Sequence, residues 1–218
     1  MTQSVFNPKF GDLPQVIPIF PLTGALLLPT GKLPLNIFEP RYLAMVRNAL
    51  AENQRIIGMV QPQTPDLDDN RGASGNGGNE PVLYKIGCAG RIISFTESED
   101  GRYLLTLLGV CRFEIAEEIA GKDDYRRVIP DFQRFRDDVS DPTVFDIDRD
   151  RLLLAVKEYF ALHNIEISWD AIQETPDDKL ITSLAMTCPF GPSERQALLE
   201  TETAASRADL IIALLEMA

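Results

Sequence analysis

One histidine, three cysteines and a surplus of carboxylates are the side chains with which this 218-residue sequence could do chemistry. A hydroxyl or thiol activated by imidazole would have to use His163, which stands beside Asn164 at the expected end of a helix, where a packed or solvated ring is the simpler reading. Cys88, Cys111 and Cys188 are odd in number and lack CxxC spacing, so they suggest neither a disulfide framework nor a closed zinc site. They read as reduced, buried thiols. No HExxH and no paired histidines occur, and neither a metal nor a cofactor is expected. Two stretches look like phosphate loops and fail on spacing. Six residues separate Gly24 from Gly31-Lys32 where a Walker A loop has four, and Leu33 stands where Ser or Thr would hold magnesium. Gly72 to Gly78 is followed by Glu80 where a dinucleotide fingerprint needs its third glycine. The acidic run Asp137–Asp150 lacks the ligand order and glycine of an EF-hand and reads as a solvated connector. These residues predict a protein that is not an enzyme. An enzyme built on carboxylates, in a pocket that shifts their pKa values, is the remaining catalytic alternative.

Charge narrows the partners. With 21 basic and 33 acidic residues the formal net charge is −12, which repels a phosphate backbone, so nucleic-acid binding is disfavoured and Arg126-Arg127 is the one adjacent basic pair. Residues 1–130 carry 13 Lys/Arg against 15 Asp/Glu, and residues 131–218 carry 8 against 18. That step, with a change of hydrophobic period near the same point, predicts two units, 1–130 and 131–218. Met1 to Gln15 has no basic and apolar leader, and no apolar run approaches the roughly 20 residues of a membrane span. A soluble, cytoplasmic protein with no membrane partner is expected.

The elements that must position any site follow from period and punctuation. Prolines 18, 21, 29 and 34 exclude a helix between Val16 and Leu35. Short strands are predicted there at Val16–Phe20 and Ala25–Leu28. Pro40 suits a first helical position, and Leu43, Val46 and Leu50 recur at helical spacing, so one amphipathic helix is predicted over about Pro40–Glu52. Arg55–Gln61 reads as a buried strand, and Gln63–Pro81 as a long polar, glycine-rich loop. Glu99-Asp100-Gly101 closes a hairpin between Gly90–Ser98 and Arg102–Leu108. Cys111, Phe113 and Ile115 alternate with Arg112 and Glu114, which predicts a half-buried strand with Arg112 outward, and Arg126–Pro130 reads as another. About six strands and one helix imply an α+β protein that opens with a closed or partly open β-barrel. Past Asp131 the period is helical: helices are predicted around Leu152–Phe160, from Asp177-Asp178, from a capping box at Ser193–Gln196, and around Leu210–Leu215. These form a C-terminal helical bundle.

The block Ile17-Pro-Ile-Phe-Pro-Leu22, then Leu28-Pro29 and Leu33-Pro-Leu-Asn-Ile-Phe-Glu-Pro-Arg-Tyr42, closely resembles the N-terminal domain of Lon proteases, in its stand-alone form. The resemblance continues through Ile57-Gly58, Gly87 to Ile92 and Leu108-Gly109-Val110-Cys111-Arg112-Phe113, and more weakly to Pro192–Glu200. It implies a PUA-like β-barrel followed by helices and a module that recognises protein substrates, unfolded segments or partner proteins. The ATPase and Ser-Lys peptidase modules of Lon proteases do not fit in 218 residues, so a non-catalytic adaptor or regulator is expected. Gly191-Pro192-Ser193 is similar to the run around the Lon nucleophile, yet Glu194 and Arg195 follow and the last lysine is Lys179, so Ser193 reads as a helix cap. PUA-like barrels also meet RNA, which makes nucleic-acid recognition the second reading, against the charge.

Within the most specific stretch, Pro34, Glu39 and Pro40 are read as structural, with Glu39 and Arg41 tying the helix to a barrel strand in a buried pair. Leu35, Ile37 and Leu43 are read as core. Phe38, Arg41 and Tyr42 are the candidate protein-binding residues, because aromatic and Arg side chains anchor such contacts.

Overall fold

The computed structural model describes residues 8–63, 81–140, 146–165 and 168–217. The predicted glycine-rich loop lies almost wholly outside the described residues. Among the described residues six strands form one mixed sheet: β1 Ile17–Pro21, β2 Lys32–Ile37, β3 Ile56–Val60, β4 Ile86–Glu97, β5 Tyr103–Lys122 and β6 Tyr125–Asp131. Their order is β2-β5-β4-β3-β1-β6, and β5 also pairs with β6. Strands β6, β1, β3, β4 and β5 therefore close into a ring, and β2 is added on β5. The 20-residue β5 makes this possible. Its first part, Tyr103 to Leu108, pairs with β2, and its last part, Glu114 to Lys122, pairs with β6, while β4 runs along its other edge. The architecture is α+β, as the sequence predicts.

Two expectations for the first forty residues change. Ala25–Leu28 is not a strand, although Leu26, Leu27 and Leu28 are buried; the segment is pressed across β5, where a Cβ on Gly109 would stand 1.9 Å from the Leu28 carbonyl oxygen. Only a glycine allows that approach. The strand is instead β2, which carries Pro34, and it sits at the end of the strand order where a proline can be accommodated.

Helix α1, Pro40–Ala51, begins at the proline as predicted, but buries Tyr42, Met45, Val46 and Ala49, with Leu43 and Leu50 only half-buried. The face is turned toward the tyrosine and methionine, which a count of leucines and valines underweights. Among the described residues five helices follow the barrel: α2 Arg149–Leu162, α3 Trp169–Glu174, α4 Asp177–Thr187, α5 Pro192–Glu200 and α6 Ala204–Met217. The buried side chains of strands and helices form one hydrophobic cluster. Among the described residues no helix is long and apolar enough to cross a membrane.

Arg112 and Asp138 depart furthest from expectation. Arg112 is 5% exposed, not an outward residue of a half-buried strand. It lies where the edge of β5 passes from β2 to β6 and its backbone N–H is free of both; Asp138 accepts that N–H at 2.9 Å and binds the guanidinium through both oxygens. The same guanidinium donates to the carbonyls of Leu199 and Thr201 at the end of α5, and Arg207 donates to that of Leu198. Two cations at a helix C-terminus suit its dipole. Asp138 thus belongs to a buried junction within a 3-10 segment, Gln133–Val139, and not to a solvated connector.

Candidate functional site

Strand alternation decides which residues of the β2–α1 corner meet solvent. Ile37 is buried as the last residue of β2, and Phe38, the next, is 62% exposed. The turn after β4 is tight: Ser98 Oγ donates to Asp100, Gly101 has φ +79°, and Arg102 is thereby set over the Phe38 ring at 5.8 Å. On the outer face of β5 the alternation exposes Leu104 between buried Tyr103 and Leu105. Pro34, Asn36, Ser94, Thr96, Leu104 and Thr106 line a shallow depression of about 360 Å³ across β2, β5 and β4. Phe95 is exposed on the same hairpin and meets Tyr103 edge-on at 5.0 Å.

The remaining predicted residues divide. Arg41 is half-exposed; its guanidinium binds Glu39 at 2.9 Å and lies 4.7 Å from the Tyr42 ring centroid. Glu39 and Arg41 therefore bind each other within one turn and do not tie the helix to a strand, and the pair is 36–40% exposed, not buried. Tyr42 is buried against Phe20, ring centroids 4.3 Å apart, so it supports the corner from below. Pro34 lies on the outer face and Pro40 is the first residue of α1. The structure groups Phe38 with Arg102 and stacks Arg41 on Tyr42. Leu104, Phe95 and Arg102 were missed by the sequence reading, because an unbroken apolar run such as Tyr103-Leu104-Leu105 does not reveal which member faces water.

The groups that could do bond chemistry are placed as follows. Burial pushes the Cys111 thiol up to about 12 and the Cys188 thiol up to about 11, and raises that of Cys88 well above its ordinary value. Such thiols are poor nucleophiles. His163 is exposed at the end of α2, its ring 4.3 Å from Tyr159. Ser193 is not the cap: α5 starts at Pro192, and Glu194 accepts the Gly191 N–H at 2.6 Å. Arg126 is bound to Glu118 through two bonds, and Arg127 donates to the Ala120 carbonyl. Among the described residues no group of three His, Cys, Asp or Glu side chains could hold a metal ion.

Comparison with known proteins gives a consistent picture. The family model described as the ATP-dependent protease La (LON) substrate-binding domain matches residues 16–217. Lon protease 2 of Myxococcus xanthus is 30% identical over 106 residues, covering 49% of this chain and 12% of that protein. Lon protease of Cytophaga hutchinsonii is 23% identical over 217 residues, covering 94% of this chain and 24% of that protein. The chain thus spans a small part of the curated relatives it matches. In structure it is similar to the Lon N-terminal domain protein from Xanthomonas campestris, with TM-score 0.58 and 21% identity over 91% of this chain and 97% of that one. The N-terminal domain of Mycobacterium avium complex Lon protease gives TM-score 0.62 and 15% identity over 92% and 98%.

Proposed function

The chain belongs to the substrate-binding domain family of the ATP-dependent protease La (Lon), and from that premise we propose that it is a non-catalytic protein-binding module, an adaptor or regulator that holds unfolded segments of other proteins. The observation that carries this reading is the exposed Phe38 beside the outer face of β2, β5 and β4. An aromatic ring left 62% exposed gains little from folding and much from a partner that covers it. Leu104 extends the apolar surface, Arg102 borders it, and aromatic and Arg side chains are the usual anchors of protein contacts. The shallow depression offers shape without a deep pocket, which suits a variable segment better than a fixed small molecule.

Strand addition on the free edge of β2 is the poorer mode. Gly109 donates to the Gly31 carbonyl at 2.8 Å, and with the period of two along the register the amides of residues 32, 34 and 36 face away from β5. The middle one is Pro34, which has no N–H to give. Binding is therefore by side chains on the face. In this reading residues 1–130 form the docking unit, residues 131–218 a helical unit joined to it, and binding takes place in the cytoplasm without nucleotide.

The test is fluorescence anisotropy with a labelled, permanently unfolded polypeptide such as carboxymethylated α-lactalbumin, in the absence of ATP. Saturable binding, weakened about tenfold or more by Phe38→Asp, is expected. Binding no stronger than to a folded control, or equal in the variant, would overturn the reading.

A further inference from the structure

The β4–β5 hairpin has a free edge on the side opposite β2. Strand β3 pairs with β4 only from Met59, opposite Cys88, to Ile56, opposite Arg91, while β4 runs on to Glu97. Among the described residues the last bond on that edge is the Ile92 N–H to the Arg55 carbonyl at 2.9 Å. Beyond it lies a notch in the sheet, bounded by the start of β3 at one end and by the hairpin turn at the other. It is roughly 17 Å long, about the length of one short strand.

The turn decides which backbone groups face the notch. Ser98 donates its N–H to the Arg102 carbonyl across the hairpin at 2.9 Å, so with a period of two Thr96 and Ser94 are bonded to Leu104 and Thr106 of β5. The N–H and C=O of Phe95 and Glu97 therefore point away from β5. The register shift between Ile92 and Ser94 inserts one residue, which is why Ile92, Phe95 and Glu97 share this side. No described strand lies beside Phe95 and Glu97, and neither is a proline. The edge of β2 differs on that second point, since Pro34 removes its middle donor.

The exposed donors and acceptors have the spacing of a β-ladder, and only an extended backbone matches them. A helix brings its own backbone groups already bonded, and the exposed Glu97 carboxylate repels phosphate. A two-fold pairing of β4 with a second copy, centred on Phe95 or Thr96, would set each Glu97 against Ile93 or Phe95 of the other chain and would join two chains of net charge −12. The side chains at the notch alternate. Phe95, 39% exposed, meets the buried Tyr103 ring edge-on at 5.0 Å on one face, and the exposed Ser94 and Thr96 stand on the other.

We propose that the β4 edge from Ile93 to Glu97 takes up an extended segment of a partner protein as an added strand, its apolar residues, at every second position, packing beside Phe95 and the polar ones beside Ser94 and Thr96. This goes beyond docking of side chains on the Phe38 face and needs no contact with it. Different variants read the two surfaces, so either reading can fail alone.

The probe is a fluorescein-labelled peptide of about seven residues, alternating Val and Thr with a Lys at each end, titrated with the full chain and followed by fluorescence anisotropy. Two analogues carry N-methyl groups on every Val amide or on every Thr amide, which blocks one edge of the added strand or the other at equal charge. The unmodified peptide is expected to bind saturably, one analogue to lose about tenfold or more in affinity, and the other to stay within about threefold. Glu97→Pro removes a notch-facing N–H and no bond to β5; it is expected to bind about tenfold or more weakly than Glu97→Ala, which loses the same carboxylate and keeps the N–H, with the same circular dichroism. If the proline variant does not fold, the two methylated peptides decide the matter. No saturable binding, equal affinities of the two analogues, equal affinities of folded Glu97→Pro and Glu97→Ala, or a dimer of the chain that Glu97→Pro dissociates would each overturn the proposal.

Discussion

The β2–α1 corner and the barrel seam each carry an arginine bound to a carboxylate at 2.9 Å, Arg41 to Glu39 at the corner and Arg112 to Asp138 in the seam. The chemistry and the distance are the same, and the surroundings differ. Water reaches the first pair, whose side chains are 40% and 36% exposed, and screens it to a worth of about 0–1 kcal/mol. The second pair is 6% and 11% exposed and has further bonds to satisfy: Asp138 also holds the Arg112 N–H, and Arg112 also holds two carbonyls of α5. Surface pairs leave a residue free to meet a partner. The buried pair joins the closing strand of the barrel to the helices and leaves nothing to bind with. Arg207 adds strain to that site, since burial and then the nearby Arg112 charge lower its pKa to about 10.

Asp138→Asn is expected to break this contrast most strongly. It leaves the buried Arg112 guanidinium without a counter-charge, so urea unfolding should show a loss of about 3–5 kcal/mol, against less than about 1 kcal/mol for Glu39→Gln. Similar losses in the two variants would show that the seam is wetter than its burial implies. Replacing both partners, Arg112→Met with Asp138→Leu, should recover part of the loss but not all, because the Leu199 and Thr201 carbonyls lose their donor.

The thiols compare the two halves by a different route. Cys111 in the barrel and Cys188 in the helices have folded pKa values of about 12 and about 11, above the ordinary 9.0 that the unfolded chain shows. Between those values the folded state keeps the proton and the unfolded state has lost it, so stability is fully present below pH 9 and is lost as pH rises through 11 to 12. The loss attributable to Cys188 is on the order of 2 kcal/mol, and should be seen as a flatter pH profile of urea midpoints in Cys188→Ala. At pH 8, native-state labelling with a thiol reagent should reach Cys188 before Cys88 and Cys111, which are fully buried. The reverse order would mean that the barrel opens before the helices.

Helix caps give a smaller effect that separates the true start of a helix from an apparent one. Thr203 Oγ1 accepts the Ser206 N–H at 3.0 Å, and Ser206 Oγ accepts that of Thr203 at 3.1 Å, a reciprocal box at the entry to α6. Thr203→Ala should lower stability by about 1 kcal/mol. Ser193→Ala should change it by less than about 0.5 kcal/mol, since Ser193 lies inside the first turn of α5. Equal effects in thermal or urea unfolding would return Ser193 to the role its sequence neighbours suggest.

These particulars show what was legible in the chain. Pro40, the hairpin turn and the helical period past Asp148 are local signals, and the corresponding elements are found at or near the predicted positions. Ala25–Leu28 misleads because burial without strand pairing, its ends held by turn hydrogen bonds alone, leaves the same apolar text as a strand. β2 was hidden by Pro34, which an edge strand tolerates. Arg112 looked like the outward member of an alternating pair, since a charge buried by a carboxylate 26 residues later has no local signature. At α5 the S-x-x-Q spacing pairs Ser193 with Gln196, whereas the cap is Gly191, whose N–H is accepted by Glu194, and Gln196 donates to the Ile86 carbonyl and to Glu200. At the face, the family-like stretch pointed to Phe38, and the neighbours that flank it come from a hairpin some sixty residues away.

The smallest expected effect on stability belongs to the residue expected to matter most for binding. Phe38 is largely solvated, so its truncation forfeits little burial, and Phe38→Ala should shift the urea midpoint by no more than about 0.5 kcal/mol. Tyr42, four residues on, is packed under the same corner, and Tyr42→Ala should cost about 3–5 kcal/mol. The two variants therefore exchange roles if the face is a docking surface: the first keeps the fold and loses affinity for an unfolded polypeptide, the second loses the fold. A Phe38→Ala protein of normal stability and normal affinity would show that the exposed ring is not an anchor, and that the outer face of β2, β5 and β4 binds, if it binds, through Leu104 and the rim.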